Sequence, residues 1–439
     1  MQTSPNIQAP QPSPLERHIA LSLPAVEIES EIQTRLKKLA RTAKMQGFRP
    51  GKVPLSMVAK QYGFQVRQEV MSDSVQRSFS DAVREQNFRV AGYPRIQPAN
   101  TGENADKYDF IATFEVYPEV AIDSLAGRKL ARPDTRVDDS DVGNTIETLR
   151  KQRATFKKVE RPAQKGDFLV IDFTGTIGGE AFSGGSAESF NLVLGEGRML
   201  PQFETALAGM AADDSKTIDL TFPADYNPDL AGKTAQFKIS VKAVNEPVLP
   251  DVNAEFAKSL GVEDGDVAKM RNEIRLNLER EMKKRIQARV KEQVMDALIA
   301  ASRLDVPRSL VEIEVARLQQ GAAGDLEARG MSAKDLSLPA ELFLDRAERR
   351  VRLGLIISEA VRSHGLKAKS EQVRAVIEEN AESYEQPEHM VKWFYSQPER
   401  LADVESLVLE DNVVEWAAAQ MEAANVQLSF DELMGIKRA

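Results

Sequence analysis

Cysteine is absent from the 439 residues, and histidine occurs only three times, at His18, His364 and His389. The first absence excludes disulfide frameworks, thiol catalysis, iron–sulfur clusters and Cys-ligated zinc. The second leaves few candidates for a His-rich metal site or a Ser-His-Asp triad. No metal and no cofactor is therefore expected. Aromatic residues make up only 6% of the chain. No run of 18 apolar residues occurs, so no membrane-spanning segment is expected. The leading stretch carries Pro5, Pro10, Pro12 and Pro14 but neither a basic region nor an apolar one. It does not read as a signal peptide, so residues 1–14 are expected to form a disordered tail and the protein to be cytoplasmic.

The remainder is enough for packed cores, with 42% hydrophobic and 28% charged residues. A chain of this length suggests about three domains. The net charge of −9 disfavours a surface basic all over and leaves room for a local basic patch. Three regions differ in pattern, so the fold class expected is multidomain α+β.

Residues 15–130 read as an α+β domain. Ile19, Leu21 and Leu23 alternate along a strand, and Tyr108–Val116 forms a second one. Between them, Val26–Met45 reads as an amphipathic helix, with Ile28, Ile32, Leu36 and Leu39 on one face. Pro54 starts a short helix, and a longer one follows at about Gln65–Glu85. Residues 131–165 read as a linker with one helix, N-capped by Ser140. Residues 166–248 carry four short strands with alternating burial and one helical turn, Met199–Ala208, which suggests a small α+β module. Residues 249–439 are helical in pattern, from Val267–Ala301 to Arg400–Ala424, and form an irregular all-α domain.

Gly47-Phe48-Arg49-Pro50-Gly51-Lys52-Val53-Pro54 places two Gly and two Pro in eight residues, which forces an irregular turn after the first helix. Phe48 beside Arg49 and Lys52 suits docking, with the ring giving apolar contact and the cations finding phosphates or carboxylates. Lys37, Lys38, Arg41 and Lys44 extend the basic surface. A Phe48 ring folded back as a plug fits the same residues. The G-x-x-x-x-G-K-[ST] spacing of a nucleotide-binding loop is missing. GFRPGKVP after a basic helix resembles the ribosome-binding signature of the bacterial trigger factor family, and the resemblance extends over essentially the whole chain. It implies docking at the polypeptide exit tunnel, on a ribosomal protein and adjoining rRNA, through Phe48, Arg49 and Lys52. Pro50 stands where some members carry a further Lys.

The strand module resembles the FKBP family of peptidyl-prolyl isomerases over about residues 160–248. Matched motif by motif, the resemblance implies a catalytic bowl of Phe173, Phe182, Phe190, Met199, Leu200, Phe203, Tyr226 and Phe237. The Leu200 N–H would hold the substrate carbonyl. Ser183 replaces an Asp of the soluble immunophilins, Phe203 replaces a Trp at the floor, and Gln202 a common Gly. Two or three of the eight are expected to serve mainly as core, Phe190 and Phe237 first among them.

The helical region reads by itself as solvated faces around a lean core. Family resemblance adds a cradle for unfolded chains, to which adaptable Met270, Met282, Met295, Met331 and Met390 would contribute. Trp393-Phe394-Tyr395 reads as a helix-packing cluster, and His364 and His389 as surface residues. The function implied is a ribosome-associated, ATP-independent chaperone that holds nascent and unfolded chains and isomerises X-Pro bonds. The alternatives are a holding chaperone with a vestigial pocket and a free-standing isomerase. Members of the trigger factor family can form homodimers off the ribosome.

Overall fold

The computed structural model describes residues 13–43, 48, 53–99, 106–223, 226, 230–330, 338–381, 384 and 386–436. These divide into two compact units. One comprises residues 1–132 and 289–424, the other residues 133–288 and 425–439.

The first unit opens with β1 (Glu16–Pro24), α1 (Ala25–Thr42), α2 (Leu55–Glu85), β2 (Val90–Pro98) and β3 (Lys107–Val116). The strands pair antiparallel in the order β1-β3-β2. Alternation in β1 sends Ile19, Leu21 and Leu23 inward, and α1 lays Ile28, Ile32 and Leu36 over them. Phe79 and Phe88 close the core edge-on against Phe114, at centroid distances of 5.2 and 5.8 Å. Two expectations change here. The short and long helices after Pro54 are one helix of 31 residues, because Val58, Val66 and Val70 bury on a continuous stripe and Gly63 does not break it. β2 was not expected at all. Its Gly92 and Pro94 disguise it, and it tolerates them as an edge strand whose register shifts between Ala91 and Arg95.

The chain continues through β4 (Ala121–Ile122), β5 (Lys129–Asp134) and α3 (Asp139–Gln152). Leu125 and Leu130, placed by the sequence pattern at the close of the N-terminal domain, are buried against the helices Val267–Ala301, Leu344–His364 and Pro398–Ala418. The N-cap of α3 is Asp138 rather than Ser140. The Asp138 carboxylate accepts from the Asp141 N–H, and Asp141 reciprocates on the Asp138 N–H, each at 3.0 Å.

The second unit holds the strand module: β6 (Thr155–Val159), β7 (Phe168–Ile177), β8 (Glu180–Val193), α4 (Pro201–Leu207), β9 (Ser215–Thr221) and β10 (Thr234–Val248). The long β10 carries β7 on one edge, and β9 and β6 in succession on the other. The sheet therefore has five strands, not four, and takes in β6 from the segment read as linker. α4 packs on it through Phe203 and Leu207. In the same unit, Val142 and Ile146 of α3 share a core with Phe256 of α5 (Ala254–Ser259), Val262 of the loop that follows, and Met270 in the first turn of α6 (Val267–Ala301).

The remaining elements are β11 (Ser302–Arg303), α7 (Arg308–Ala328), α8 (Leu344–His364), α9 (Ser370–Ala381), α10 (Pro387–Ser396), α11 (Pro398–Ala418), β12 (Glu422–Gln427) and α12 (Phe430–Met434), with a short 3₁₀ turn at Ala340–Leu342. α11 ends at Ala418, short of the expected Ala424, because the chain turns at Gln420 into β12, which pairs with β5. The helical region is thus not purely helical.

One joint inside the first unit ties the N-terminal sheet to α7. Pro307 gives that helix no side-chain cap. The buried Glu115 of β3 supplies one instead, accepting the Ser309 N–H at 2.7 Å. The Ser309 hydroxyl donates to the Ala91 carbonyl at 2.8 Å. Gly92, at φ +74°, admits this approach, since a Cβ there would lie 2.6 Å from that of Ser309. Burial alone raises the Glu115 pKa, but hydrogen bonds from the Ser309 and Arg308 backbone outweigh it, and the net direction is down. A depressed folded-state pKa adds stability that is present above the ordinary carboxylate range and is lost as pH falls through the folded value. Glu115→Ala is therefore expected to cost about 1–3 kcal/mol at pH 7. The gap in unfolding midpoint between variant and parent should close on acidification; a gap independent of pH would refute the assignment.

Candidate isomerase site

The eight bowl residues expected from the sequence all line one cavity of about 730 Å³ in the strand module. β7 supplies Phe173, β8 Phe182 and Phe190, the approach to α4 Met199 and Leu200, α4 Phe203, and β10 Phe237. Tyr226, exposed at the rim, stacks on Phe222 at 5.0 Å between centroids. Phe173 is the hub. It meets Phe190 at 5.7 Å and Phe203 at 5.6 Å edge-to-face, and Phe237 at 6.1 Å. Phe237 in turn meets Phe182 and Phe203 edge-on. Edge-to-face contacts favour particular ring angles, so ring packing sets much of the shape of the aromatic wall.

Two glycines make room for these rings. Gly175 lies opposite Phe237 across the β7–β10 ladder, and a Cβ there would fall 2.5 Å from the ring. A Cβ on Gly185 would meet the Phe182 ring at 2.9 Å. Phe190 is aimed by strain. Ser189, just before it, sits at φ +53°, beside a register shift in the β7–β8 pairing. The Ser189 N–H donates to Asp172 at 2.7 Å, and Lys242 pairs with the same carboxylate at 2.7 Å. Lys242 and then the Ser189 N–H hold the Asp172 carboxyl below its usual range.

The division between core and wall differs from expectation. Phe237 is buried as expected, but Phe190 is only half-buried and faces the cavity, and the most buried of the eight is Phe203, at 1% exposure. Leu220, Phe222 and Leu230 also line the bowl and were not assigned to it. Phe222 was legible only as the inward face of a strand, because alternation reports burial and not which side of the core is open.

The Leu200 N–H has no hydrogen-bond partner among the described residues, whereas the Leu200 carbonyl accepts from the N–H groups of Phe203 and Glu204 at 2.8 and 3.1 Å. A free donor on a residue that lines an apolar bowl suits isomerisation of an X-Pro amide. The barrier of roughly 18–20 kcal/mol is lost amide resonance. No bond breaks and no proton moves. A dry wall favours the twisted amide, whose dipole and need for water are smaller, and one donor aimed at the rotating carbonyl adds stabilisation specific to the twisted form. Among the described residues no group of three or more His, Asp or Glu could hold a metal ion.

The basic surface is only partly described. Lys44, Arg49 and Lys52 lie outside the described residues. Phe48 is 39% exposed, which disfavours the buried plug. Lys37, Lys38 and Arg41 are exposed on α1 and make no ion pair among the described residues. Arg35, one turn earlier, is by contrast tied to Asp73 at 2.6 Å. In the helical region, Met270 and Met295 are 1% and 4% exposed, so they are core residues and not free contacts for clients. Met282 and Met390 are half-buried, and Met331 lies outside the described residues. Of the aromatic cluster only Phe394 packs inward. Trp393 carries Arg400 over its face at 4.1 Å, and Tyr395 is exposed. His389 is exposed, and His364, also exposed, stacks on Trp416 at 4.2 Å. Among the described residues no helix is long and apolar enough to cross a membrane.

Three family models match the chain: bacterial trigger factor protein over residues 6–149, FKBP-type peptidyl-prolyl cis-trans isomerase over 159–242, and bacterial trigger factor protein C-terminus over 266–419. The trigger factor of Aromatoleum aromaticum is 52% identical, over 96% of this chain and 97% of its own. That of Chromobacterium violaceum is 53% identical, over 96% and 98%. A solved structure of a trigger factor chaperone overlays with a TM-score of 0.45 and 17% identity, covering 92% of this chain and 97% of that one. With relatives at this identity over nearly its full length, the chain belongs to the trigger factor family.

Proposed function

We propose that this chain docks at the polypeptide exit tunnel, holds emerging segments on its helical region without ATP, and isomerises their X-Pro bonds in the aromatic bowl. As a trigger factor it is a ribosome-associated chaperone with an FKBP-type isomerase domain. The observation that carries the catalytic part is the bowl itself, a cavity walled mainly by aromatic and aliphatic side chains, with the N–H of its lining residue Leu200 unpaired among the described residues. Phe48, Lys37, Lys38 and Arg41 support docking on a ribosomal protein and adjoining rRNA, together with Arg49, Lys52 and Lys44. Exposed Ile313, Leu342, Leu344, Trp393 and Tyr395 support client contact by the helical region. Many weak apolar contacts suit a holder that must release its clients, and linkage to the isomerase raises the local concentration of prolines. Cytoplasmic residence and homodimerisation off the ribosome belong to the same proposal.

Turnover of a short Ala-Pro-Phe peptide by the full chain separates this reading from a vestigial pocket. Phe190→Ala, which removes a half-buried wall, is expected to lower kcat/KM about ten-fold or more while suppression of aggregation of a refolding enzyme stays unchanged. Unchanged turnover would place the chemistry elsewhere, and a wild-type chain with no turnover at all would leave the holding function alone.

A further inference from the structure

We infer that Glu204 is a positioning residue for isomerisation: it holds the peptide planes on both sides of the one that carries the Leu200 N–H. The inference rests on the isomerase reading of the bowl. Glu204 lies in the first turn of α4 and does not line the cavity. Its carboxylate nevertheless spans the loop before the helix. Oε2 accepts the Gly195 N–H at 3.0 Å, and Oε1 accepts the Met199 N–H at 3.2 Å. Its own backbone N–H donates to the Leu200 carbonyl at 3.1 Å, beside that of Phe203 at 2.8 Å.

These contacts bracket one group. The Leu200 N–H belongs to the peptide plane shared by Met199 and Leu200. The preceding plane, which contains the Met199 N–H, is held by the Glu204 side chain. The following plane, which contains the Leu200 carbonyl, is held by the Glu204 main chain. With both flanks fixed, little rotation is left to the plane between them, and its donor stays unpaired for a substrate carbonyl. A carboxylate suits the task because it offers two acceptor atoms and binds N–H groups more strongly than a neutral acceptor does. The contact to Gly195 extends the hold to the start of the loop, where the chain turns at φ +93°. Removing the carboxylate leaves two N–H groups without their acceptor and lets the middle plane swing, while the apolar wall that captures proline stays in place. Misaiming by about an ångström is enough to cost a large factor in rate.

The test uses the full chain and the Ala-Pro-Phe peptide. Glu204→Ala is expected to lower kcat about ten-fold with KM changed less than two-fold, and to shift the amide resonances of Gly195, Met199 and Leu200 in a ¹⁵N spectrum. Glu204→Gln, which keeps one carbonyl oxygen, should recover part of kcat. Glu204→Asp, one methylene shorter, should resemble the alanine variant. Equal kcat in all three variants and the parent would overturn the inference. So would a loss that appears wholly in KM or that scales with a falling unfolding midpoint, since either would mean that Glu204 merely supports the fold. A parent chain without turnover would instead overturn the isomerase reading beneath it, and the spectra of parent and alanine variant would still report whether Glu204 orders the loop.

Discussion

Phe203→Ala is expected to unfold the isomerase module well before the rest of the chain. At the pocket floor, where the family resemblance places Phe203, its loss would remove only a substrate contact. The structure gives it a larger part. The ring is 1% exposed and meets Phe173 and Phe237 edge-on, each at 5.6 Å. It is also the residue through which the single helix of the module reaches the sheet core, beside Leu207. Truncating such a ring costs about 3–5 kcal/mol in transfer and cavity terms, a large share of what a small domain has. The unfolding midpoint of the module should therefore fall by more than about 10 °C.

The placement of the tryptophans makes this measurable. Both of them, Trp393 and Trp416, lie in the helical region. In a urea titration, tryptophan fluorescence reports those helices, whereas peptide turnover reports the bowl. The variant should lose turnover at a much lower urea concentration and keep the parent fluorescence midpoint. Coincident, unshifted midpoints would show that Phe203 does not brace the module. The same reasoning makes Phe190, half-buried on the wall, the better probe of catalysis.

What was legible in the sequence follows from which forces act locally. The alternation of Leu169, Ile171 and Phe173, and of Phe237, Ile239 and Val241, reports a two-residue period that any half-buried strand must show. Those strands are where the pattern put them. β6 is different: four of its five residues are exposed, so it has no apolar face to read, and it is a strand only because the end of β10 offers it hydrogen bonds. β2 hides behind Gly92 and Pro94 for a related reason, since an edge strand pairs on one side only. The bowl was legible as a resemblance of motifs, not from spacing. Glu204 left no local signal, because one carboxylate on a short helix is most simply a solvated charge. Its role depends on a loop that folds back over nine residues, and the Glu115 cap depends on a partner 194 positions away.

The double substitution Phe48→Ala with Arg49→Ala is expected to abolish co-sedimentation with ribosomes at low salt and to leave peptide turnover at the parent value. Phe48 is an apolar side chain held partly in water, and a ring that becomes buried on a partner contributes about 1.5–3 kcal/mol. Arg49 lies outside the described residues and enters through the family motif. Losing both should weaken binding about a hundred-fold or more. The two losses differ in kind, and salt separates them. Counter-ion release makes a cationic contact to rRNA weaken steeply as salt rises, whereas the contact made by a ring does not. Phe48→Ala alone should therefore lower affinity at every salt concentration by a similar factor, and Arg49→Ala alone should flatten the salt dependence. Lys37, Lys38 and Arg41, exposed and free of ion pairs among the described residues, should each contribute a further part of that slope. If the double variant sediments as the parent does, the docking surface lies elsewhere on the chain. If it sediments poorly but its salt slope equals the parent's, the partner met by Arg49 is not a phosphate.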